Sequence, residues 1–303
     1  MHRNAYLLLM LTTLFWAANA VAGKLAIGHV SPMLLNTMRW LVAAAMLALL
    51  FRRRIAADLP TLRANAAMLL LLGGLGFTGF SVALYSAVTY TSVINVSIEQ
   101  ASMPLVVFLV NFLLFRAVVT PAQILGFLLS VAGVALTVSH GDLSRLLELD
   151  MNRGDLIMLA GILCYGGYTA ALRLKPALPW QSLLFALALA GFVTSIPFTA
   201  WEFATGRGIV PSPAGWIVVA FVAIFPSLLG QAFFIRGVEL IGANRAGLFI
   251  NLVPIFATLL SILVLGEIFH LYHAVALAMV LGGIGLAEHS GRKRARREAE
   301  EAG

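Results

Sequence analysis

The chain has 303 residues, of which 61% are hydrophobic and only 11% are charged, and its mean hydropathy is +0.96. A water-soluble domain of this length cannot cover its surface with so few polar side chains. The composition therefore predicts an integral membrane protein and excludes a soluble enzyme or a soluble binding domain. The net charge of +7 indicates basic loops held on one side of a membrane, and no nucleic-acid partner is expected.

Ten apolar runs along the chain are each long enough to cross a bilayer as a helix, which takes roughly 17 to 25 residues. The first run is too long to be a removable signal peptide. We therefore predict an all-α membrane protein with ten transmembrane helices. The predicted spans are 5–26, 32–51, 66–89, 94–115, 121–139, 155–174, 181–201, 214–236, 245–265 and 271–289.

The sequence repeats itself after about 150 residues. An offset of 149 aligns residues 14–18 with residues 163–167, and an offset of 150 aligns Pro104 with Pro254 and Gly133 with Gly283. Each repeat holds five predicted spans, and an odd number of spans inverts the second copy in the membrane. The pattern predicts two inverted five-helix repeats around a central cavity, as in many transporters.

The repeat also sets the predicted domain organisation. The second repeat starts where the sixth span starts, and charged residues follow the last span. The predicted units are a first repeat at 1–139, an extracytoplasmic linker at 140–154, a second repeat at 155–289 and a basic cytoplasmic tail at 290–303.

The basic residues predict the orientation, because Lys and Arg near short loops stay in the cytoplasm. With the N-terminus inside, most of them lie on the cytoplasmic side, including residues 52–54 and 292–297. We therefore expect a bacterial inner-membrane protein with both termini in the cytoplasm. On the opposite side are Lys24, Arg145, Arg153 and Arg207.

No motif indicates a catalytic or metal site. Cys164 is the only cysteine, and His270 and His273 form a pair that is too small to define a metal site. There is no phosphate-binding loop and no nucleophile with a matching base. We therefore expect no cofactor, no metal and no enzymatic activity.

A family resemblance rests on the second half of the sequence. Pro254, then the Leu-Gly-Glu of 265–267 and the Gly-Gly of 282–283, resembles the closing signature of the drug/metabolite transporter superfamily, in its ten-helix EamA-type branch. Residues 14–19 resemble the first helix of that family. The first half repeats the pattern with Pro104, Gln123, Gly126 and Gly133.

The first half departs from this pattern at one place. Arg116 and Ala117 stand where Gly266 and Glu267 stand in the second half, so the glutamate has no counterpart there. The resemblance implies five plus five inverted helices with a substrate cavity between the halves. Within the branch, the chain is most similar to bacterial inner-membrane exporters of amino acids, including aromatic ones.

Two charged side chains lie well inside predicted spans, Arg39 in the second span and Glu99 in the fourth. Both lie roughly 8 to 10 Å from the outer ends of their spans at 1.5 Å per residue, so they can meet as a structural ion pair. Alternatively, Glu99 faces the cavity and binds a substrate ammonium or a coupling proton, or these side chains snorkel to the interface. The sequence leaves these alternatives open.

The remaining site candidates are polar or aromatic residues within spans. Trp16 and Asn19 align through the repeat with Tyr165 and Tyr168, so these side chains should converge between the two halves. Pro104 and Pro254 would free backbone carbonyls within helices and are predicted hinges. The predicted substrate-binding residues are Trp16, Asn19, Tyr85, Ser97, Glu99, Gln100, Tyr165, Tyr168, Gln231 and Asn251.

These residues and the resemblance favour a secondary transporter that exports amino acids with aromatic or other large neutral side chains by alternating access. A carboxylate would accept the substrate ammonium, amides would bind its carboxylate, and rings would receive its side chain. The alternatives are efflux of drugs or organic cations, and a sugar-nucleotide or phosphate-type metabolite carrier. The expected partners are a small-molecule substrate and the lipid bilayer, and the expected state is a monomer.

Overall fold

The computed structural model describes residues 2–103, 105, 106, 109, 113, 120–142, 152–241, 246 and 249–301, and the regular structure within these ranges is helical. Eleven helices are numbered here in chain order. They are α1 His2–Leu25, α2 Pro32–Leu50, α3 Arg52–Ala64, α4 Ala66–Ala87, α5 Val93–Ala101, α6 Pro121–Val138, α7 Arg153–Ala171, α8 Trp180–Ala204, α9 Pro213–Ile241, α10 Val253–Leu265 and α11 Leu271–Glu301.

Seven of these helices are long and apolar enough to cross a membrane, and they are α1, α2, α4, α6, α7, α8 and α9. Two shorter apolar helices, α10 and the first part of α11, follow them. The chain is therefore a multi-pass membrane protein. Ten spans in two inverted repeats stay a prediction, because most of the predicted fourth span beyond α5 lies outside the described residues, as do Pro104 and residues 143–151 of the predicted linker.

The structure adds two features to the predicted helix pattern. A separate helix, α3, follows α2 directly, and only Ile55 and Leu62 on it are buried, so its basic face is exposed. The last helix does not end near residue 289, because α11 continues to Glu301. Hydropathy identified neither feature, since both segments are polar.

The turns of the chain lie on two faces of the helix bundle. On one face, which we call the linker face, the α1–α2 turn bonds the α8–α9 loop through Ser31 N–H to Ile209 C=O (3.2 Å) and Ser212 N–H to His29 C=O (2.9 Å). Asn152, before α7, donates its side-chain amide to Tyr90 C=O after α4 on this same face (3.0 Å). The opposite face, where α2 ends and α11 finishes, is called the terminus face.

Small residues allow the closest helix packing, between α6 and α11. A Cβ atom on Gly133 would lie 2.8 Å from the carbonyl oxygen of Ala276, and one on Gly283 would lie 2.4 Å from that of Gly126. The hydroxyl of Ser130 also donates to Val280 C=O (3.1 Å). Such contacts substitute in lipid for the hydrophobic effect that joins helices in water. The two glycines that the sequence repeat aligns therefore meet in one interface.

Three described helices carry a widened, π-helical turn, at Gly74–Gly79 in α4, at Ala223–Leu229 in α9 and at Ser261–Leu265, the end of α10. A π turn breaks the regular α-helical bonding and frees backbone carbonyls. In α4 and α9 an indole binds a carbonyl of the turn, with Trp40 Nε1 donating to Phe77 C=O (3.0 Å) and Trp16 Nε1 to Pro226 C=O (3.2 Å). The carbonyls thus stay hydrogen-bonded inside the membrane, where an unpaired polar group is costly.

Two glutamates, the buried Glu202 and the half-buried Glu267, make contacts between helix ends on the linker face. The carboxylate of Glu202, at the end of α8, accepts hydrogen bonds from the first backbone amides of α2, Met33 (3.2 Å) and Leu34 (3.1 Å). The carboxylate of Glu267, after α10, accepts from the first amides of α5, Val93 (2.8 Å) and Ile94 (3.1 Å). An anion at a helix N-terminus satisfies free amides and opposes the helix dipole. We call these contacts the Glu202 cap and the Glu267 cap.

The predicted orientation can be tested with single cysteines in a Cys164→Ala background. Arg63 on α3 is exposed on the terminus face, and Val210, 68% exposed, lies on the linker face. If basic loops are retained inside, Val210→Cys should react in intact cells with an impermeant thiol reagent, and Arg63→Cys should react only after permeabilisation. Labelling of Arg63→Cys from outside would contradict cytoplasmic termini, and Cys164→Ala alone is the unlabelled control.

Candidate substrate cavity

A cavity of about 580 Å³ lies among the helices and is bordered by α1, α2, α4, α5, α7, α9 and α10. This volume is within the range of sites that bind small molecules. Thr169, near the C-terminal end of α7, and Leu172 just beyond it line the cavity, which therefore extends towards the terminus face. Of the predicted substrate-binding residues, the cavity lining includes Trp16, Asn19, Gln100, Tyr165, Tyr168, Gln231 and Asn251.

Aromatic rings form much of the cavity wall. Trp16 of α1 lies against Phe234 of α9, with 5.3 Å between ring centroids, and Tyr165 lies 5.4 Å from Tyr168 and 5.1 Å from Phe80. The π turn of α4 brings the chain close to these rings, because a Cβ atom on Gly76 would lie 2.4 Å from the Tyr168 ring. Only glycine fits at that position without moving a cavity wall.

Side-chain amides supply most of the neutral hydrogen-bonding groups. Gln100 of α5, Gln231 of α9 and Asn251 before α10 line the cavity, and within the described part of the chain none of them has a side-chain hydrogen bond. Asn19 differs, because its Oδ1 accepts from the hydroxyl of Tyr85 (2.8 Å). Three amides are thus available to a bound molecule, and the fourth is held in place.

One positive charge, Arg39 of α2, lines the cavity. Its Nη1 donates to the hydroxyl of Tyr85 (2.7 Å), its Nε donates to Ser227, and its guanidinium carbon lies 4.5 Å from the centre of the Trp40 ring. Among the described residues no carboxylate pairs with it. The guanidinium is therefore a fixed cation, held by neutral groups and by a ring face, with its charge unneutralised at the cavity.

The structure corrects the expected ion pair between Arg39 and Glu99. Glu99 is fully buried, does not line the cavity, and faces Asp155 of α7. The sequence suggested the pair because the two residues lie at similar depths in their helices, but depth does not give the direction in which a side chain leaves the helix. Arg39 turns to Tyr85 and Ser227 instead, and neither charge reaches the membrane surface by snorkelling, since Arg39 is 6% exposed.

Two further candidates lie behind the cavity rather than in it. Tyr85, 1% exposed, links Arg39 to Asn19 and so positions both groups. The hydroxyl of Ser97, also 1% exposed, donates to Val93 C=O within its own helix (2.6 Å). Tyr85 therefore holds two cavity residues in place without lining the cavity, and Ser97 is hydrogen-bonded within its own helix.

The predicted hinge at Pro254 lies at a helix start. Residues 251–252 form a turn, and Pro254 occupies the first turn of α10, where its missing N–H removes no hydrogen bond. The predicted helix 245–265 is therefore interrupted at the cavity, and α5 likewise ends at Ala101, beside the turn at Ser102. Interrupted helices at a binding site are typical of secondary transporters. Pro104 lies outside the described residues.

Several cavity residues that were not predicted have a recognisable signal in the sequence. Phe234 lies one helical turn after Gln231, and Trp40 directly follows Arg39, so each neighbours a residue that was singled out. Phe77 lies within the glycine-rich run of α4, and Phe80 directly follows it. Asp155, which faces Glu99, was missed because it lies at the very start of a predicted span.

A helix bundle with interrupted helices around a central cavity defines a membrane transporter. The chain belongs to the EamA-like transporter family, which matches residues 3–139 and, a second time, residues 152–287. The family accounts for most of the chain, so transport is its function class.

Similar proteins span nearly the full length of the chain. It is 27% identical over 288 residues to "Uncharacterized transporter YyaM" of Bacillus subtilis (strain 168), covering 93% of each chain. It is 27% identical over 285 residues to YetK of the same organism, covering 93% of this chain and 86% of the relative. A protein of known crystal structure shares the fold at a TM-score of 0.60 and 20% identity, covering 95% of this chain and 98% of that one.

Proposed function

We propose that this transporter exports amino acids with large neutral side chains, aromatic ones included, by alternating access across the bacterial inner membrane. The observation that carries the proposal is the unneutralised guanidinium of Arg39 in a cavity lined by aromatic rings and free amides. A cation surrounded by rings is a site for a molecule that has one carboxylate and one apolar group.

The cavity offers a place for each part of such a substrate. The carboxylate binds Arg39, because a guanidinium and a carboxylate match in charge and in hydrogen-bond geometry. The side chain packs against Trp16, Phe234 and Tyr165. The ammonium donates to the oxygens of amides such as Gln100 and Asn251. These roles differ from those expected from the sequence. There, amides bind the substrate carboxylate and a carboxylate binds the ammonium; here, Arg39 binds the carboxylate and the amides bind the ammonium.

The same arrangement disfavours the two alternative substrate classes. A lipophilic cation would be repelled by Arg39, and the described lining contains no carboxylate that would attract it. A sugar nucleotide carries at least two phosphate charges, whereas the described lining supplies only one cation. Taking the second charge out of water without a partner would be costly. The carboxylate of a zwitterion neutralises Arg39, and its ammonium is solvated by neutral amide oxygens.

The difference between the two faces of the bundle supports export as the direction of transport. The cavity extends towards the terminus face, while the Glu202 and Glu267 caps hold helix ends together on the linker face. If the termini are cytoplasmic, this conformation receives substrate from the cytoplasm. Alternating access then requires opening at the linker face and closure near Thr169 and Leu172.

The test is a substrate panel on purified protein in liposomes, with phenylalanine, leucine, phenethylamine, tetraphenylphosphonium and a nucleotide sugar. We expect phenylalanine and leucine to be transported, and phenethylamine, which lacks the carboxylate, not to compete with them. Empty liposomes give the background rate. Strong competition by phenethylamine or tetraphenylphosphonium would favour organic-cation efflux, and competition by the nucleotide sugar would favour the carrier alternative.

A further inference from the structure

A pair of buried carboxyl groups lies outside the cavity, between α5 and α7. Glu99 and Asp155 are both completely shielded from solvent and face each other across the helix contact. Within the described residues, none of their four carboxyl oxygens accepts a well-formed hydrogen bond from a protein donor. Unsatisfied buried acceptors are rare in folded proteins. Thr91 and Asn95 lie near Asp155, whereas the polar side chain that faces Glu99 is the Asp155 carboxyl itself, so Glu99 lacks a donor.

A proton supplies that donor. Two adjacent carboxylates cannot both ionise in a low-dielectric interior, because each repels the other and neither is solvated. With one proton between them, one carboxyl donates a hydrogen bond to the other. We propose that Glu99 and Asp155 form a proton-binding site that holds one exchangeable proton and couples transport to the proton gradient.

The surroundings favour a proton over a metal cation. The titratable group beside the pair is His140, next to Asp155. Further groups lie one contact away: His273 bonds Asn95, and Lys24 donates to the carbonyl of Thr91. Beyond them are Glu267, His270 and Tyr272. Lys24 donates to the carbonyls of Val88 and Thr91 and is thus occupied. A sodium or calcium ion would need about six oxygen ligands, whereas the titratable neighbour of the pair is the imidazole of His140, a ligand type that suits other metals.

A route for the proton leads to the linker face. His140 Nε2 lies 3.6 Å from Asp155 Oδ2, and the His140 side chain is 32% exposed. Histidine exchanges protons near neutral pH and is the usual proton shuttle of proteins. Asp155 lies in the first turn of α7, so His140 connects the pair to water over a short distance.

The pair is placed to affect the cavity, and this step rests on the proposed function. Gln100, which follows Glu99, lines the cavity, and α7 carries both Asp155 and the cavity residue Tyr165. Loss of the shared proton leaves two anions that push α5 and α7 apart. In an antiport cycle, a proton enters at the linker face and leaves at the terminus face while substrate moves the opposite way.

The test compares Glu99→Gln and Asp155→Asn with wild-type protein in liposomes, with and without a proton gradient. Each variant should lose the acceleration by the gradient but keep substrate exchange between equal pools, because the cavity is intact. Glu239→Gln, a change at an exposed residue paired with Arg236, should keep the acceleration. Retained acceleration in both pair variants, or acceleration by a sodium gradient alone, would overturn the proposal.

A second measurement does not depend on any substrate. Infrared difference spectra of the wild-type protein should contain the carbonyl band of a protonated, buried carboxylic acid, and Glu99→Gln should remove it. If the band is present but no amino acid is transported, the proton site stands and the proposed substrate is wrong. If amino acids are transported but the band is absent between mildly acidic and mildly alkaline pH, the proton site is wrong.

Discussion

Replacing Arg39 with glutamine should abolish transport of carboxylate substrates while the helix bundle stays folded. Arg39 is the only cation in the described cavity lining, and glutamine cannot neutralise a carboxylate there. Losing one member of a buried charge pair costs about 2 to 5 kcal/mol, or roughly 30-fold or more in affinity. The unliganded protein should not lose stability to the same extent, because the change removes an uncompensated charge.

The measurement is the affinity for phenylalanine in liposomes together with the melting temperature in detergent. Ser81→Ala is the matched control, because Ser81 also lines the cavity but makes only a long contact with Arg39 Nη1 (3.5 Å). It should retain most of the affinity. A folded Arg39→Gln protein that binds phenylalanine as tightly as the wild type would contradict the assignment of the carboxylate to Arg39.

Replacing Glu267 with glutamine should shift the protein towards a conformation that is open at the linker face. The change removes the negative charge and one of the two acceptor oxygens that hold the N-terminus of α5. Hydrogen bonds to charged groups contribute about 1.5 to 3 kcal/mol, so the ratio of open to closed protein should rise by about tenfold to a hundredfold.

A cysteine at Ser97 in a Cys164→Ala background reports the opening. Ser97 is 1% exposed and lies one turn from Val93, so a thiol there should react with an impermeant reagent much faster in Glu267→Gln than with Glu267 present. Glu202→Gln is the control, since α2 and α8 pack along much of their length and do not depend on the Glu202 cap. Equal labelling rates in all three backgrounds would show that the Glu267 cap does not hold the linker face closed.

Much of the fold is predictable because lipid imposes simple rules on sequence. Apolar runs of sufficient length must be helical, so the starts of α2, α6 and α11 agree with the predicted spans to the residue. The interruption at 251–252 is not predictable in this way. Its residues are apolar or amide-bearing like those around it, and only tertiary contacts decide that the chain turns there.

The site was predictable to the extent that the repeat located it. Trp16 and Asn19 share a cavity with Tyr165 and Tyr168, as the alignment of the two halves required. Glu99 was wrongly predicted to line the cavity. The high cost of a charge inside the membrane marks such a residue as important, but it does not tell which way the side chain points. An ion pair between Arg39 and Glu99 was one of the alternatives left open by the sequence, and the structure gives each of them a different partner.

The two π turns that bind an indole stand at matching positions in the two halves of the chain. Phe77 and Pro226, whose carbonyls bind the indoles, stand 149 residues apart, the offset that aligns residues 14–18 with 163–167. A π turn arises when one residue is inserted into an α-helix. The matching positions indicate that the two halves share one helix pattern, in line with the family match to residues 3–139 and again to residues 152–287.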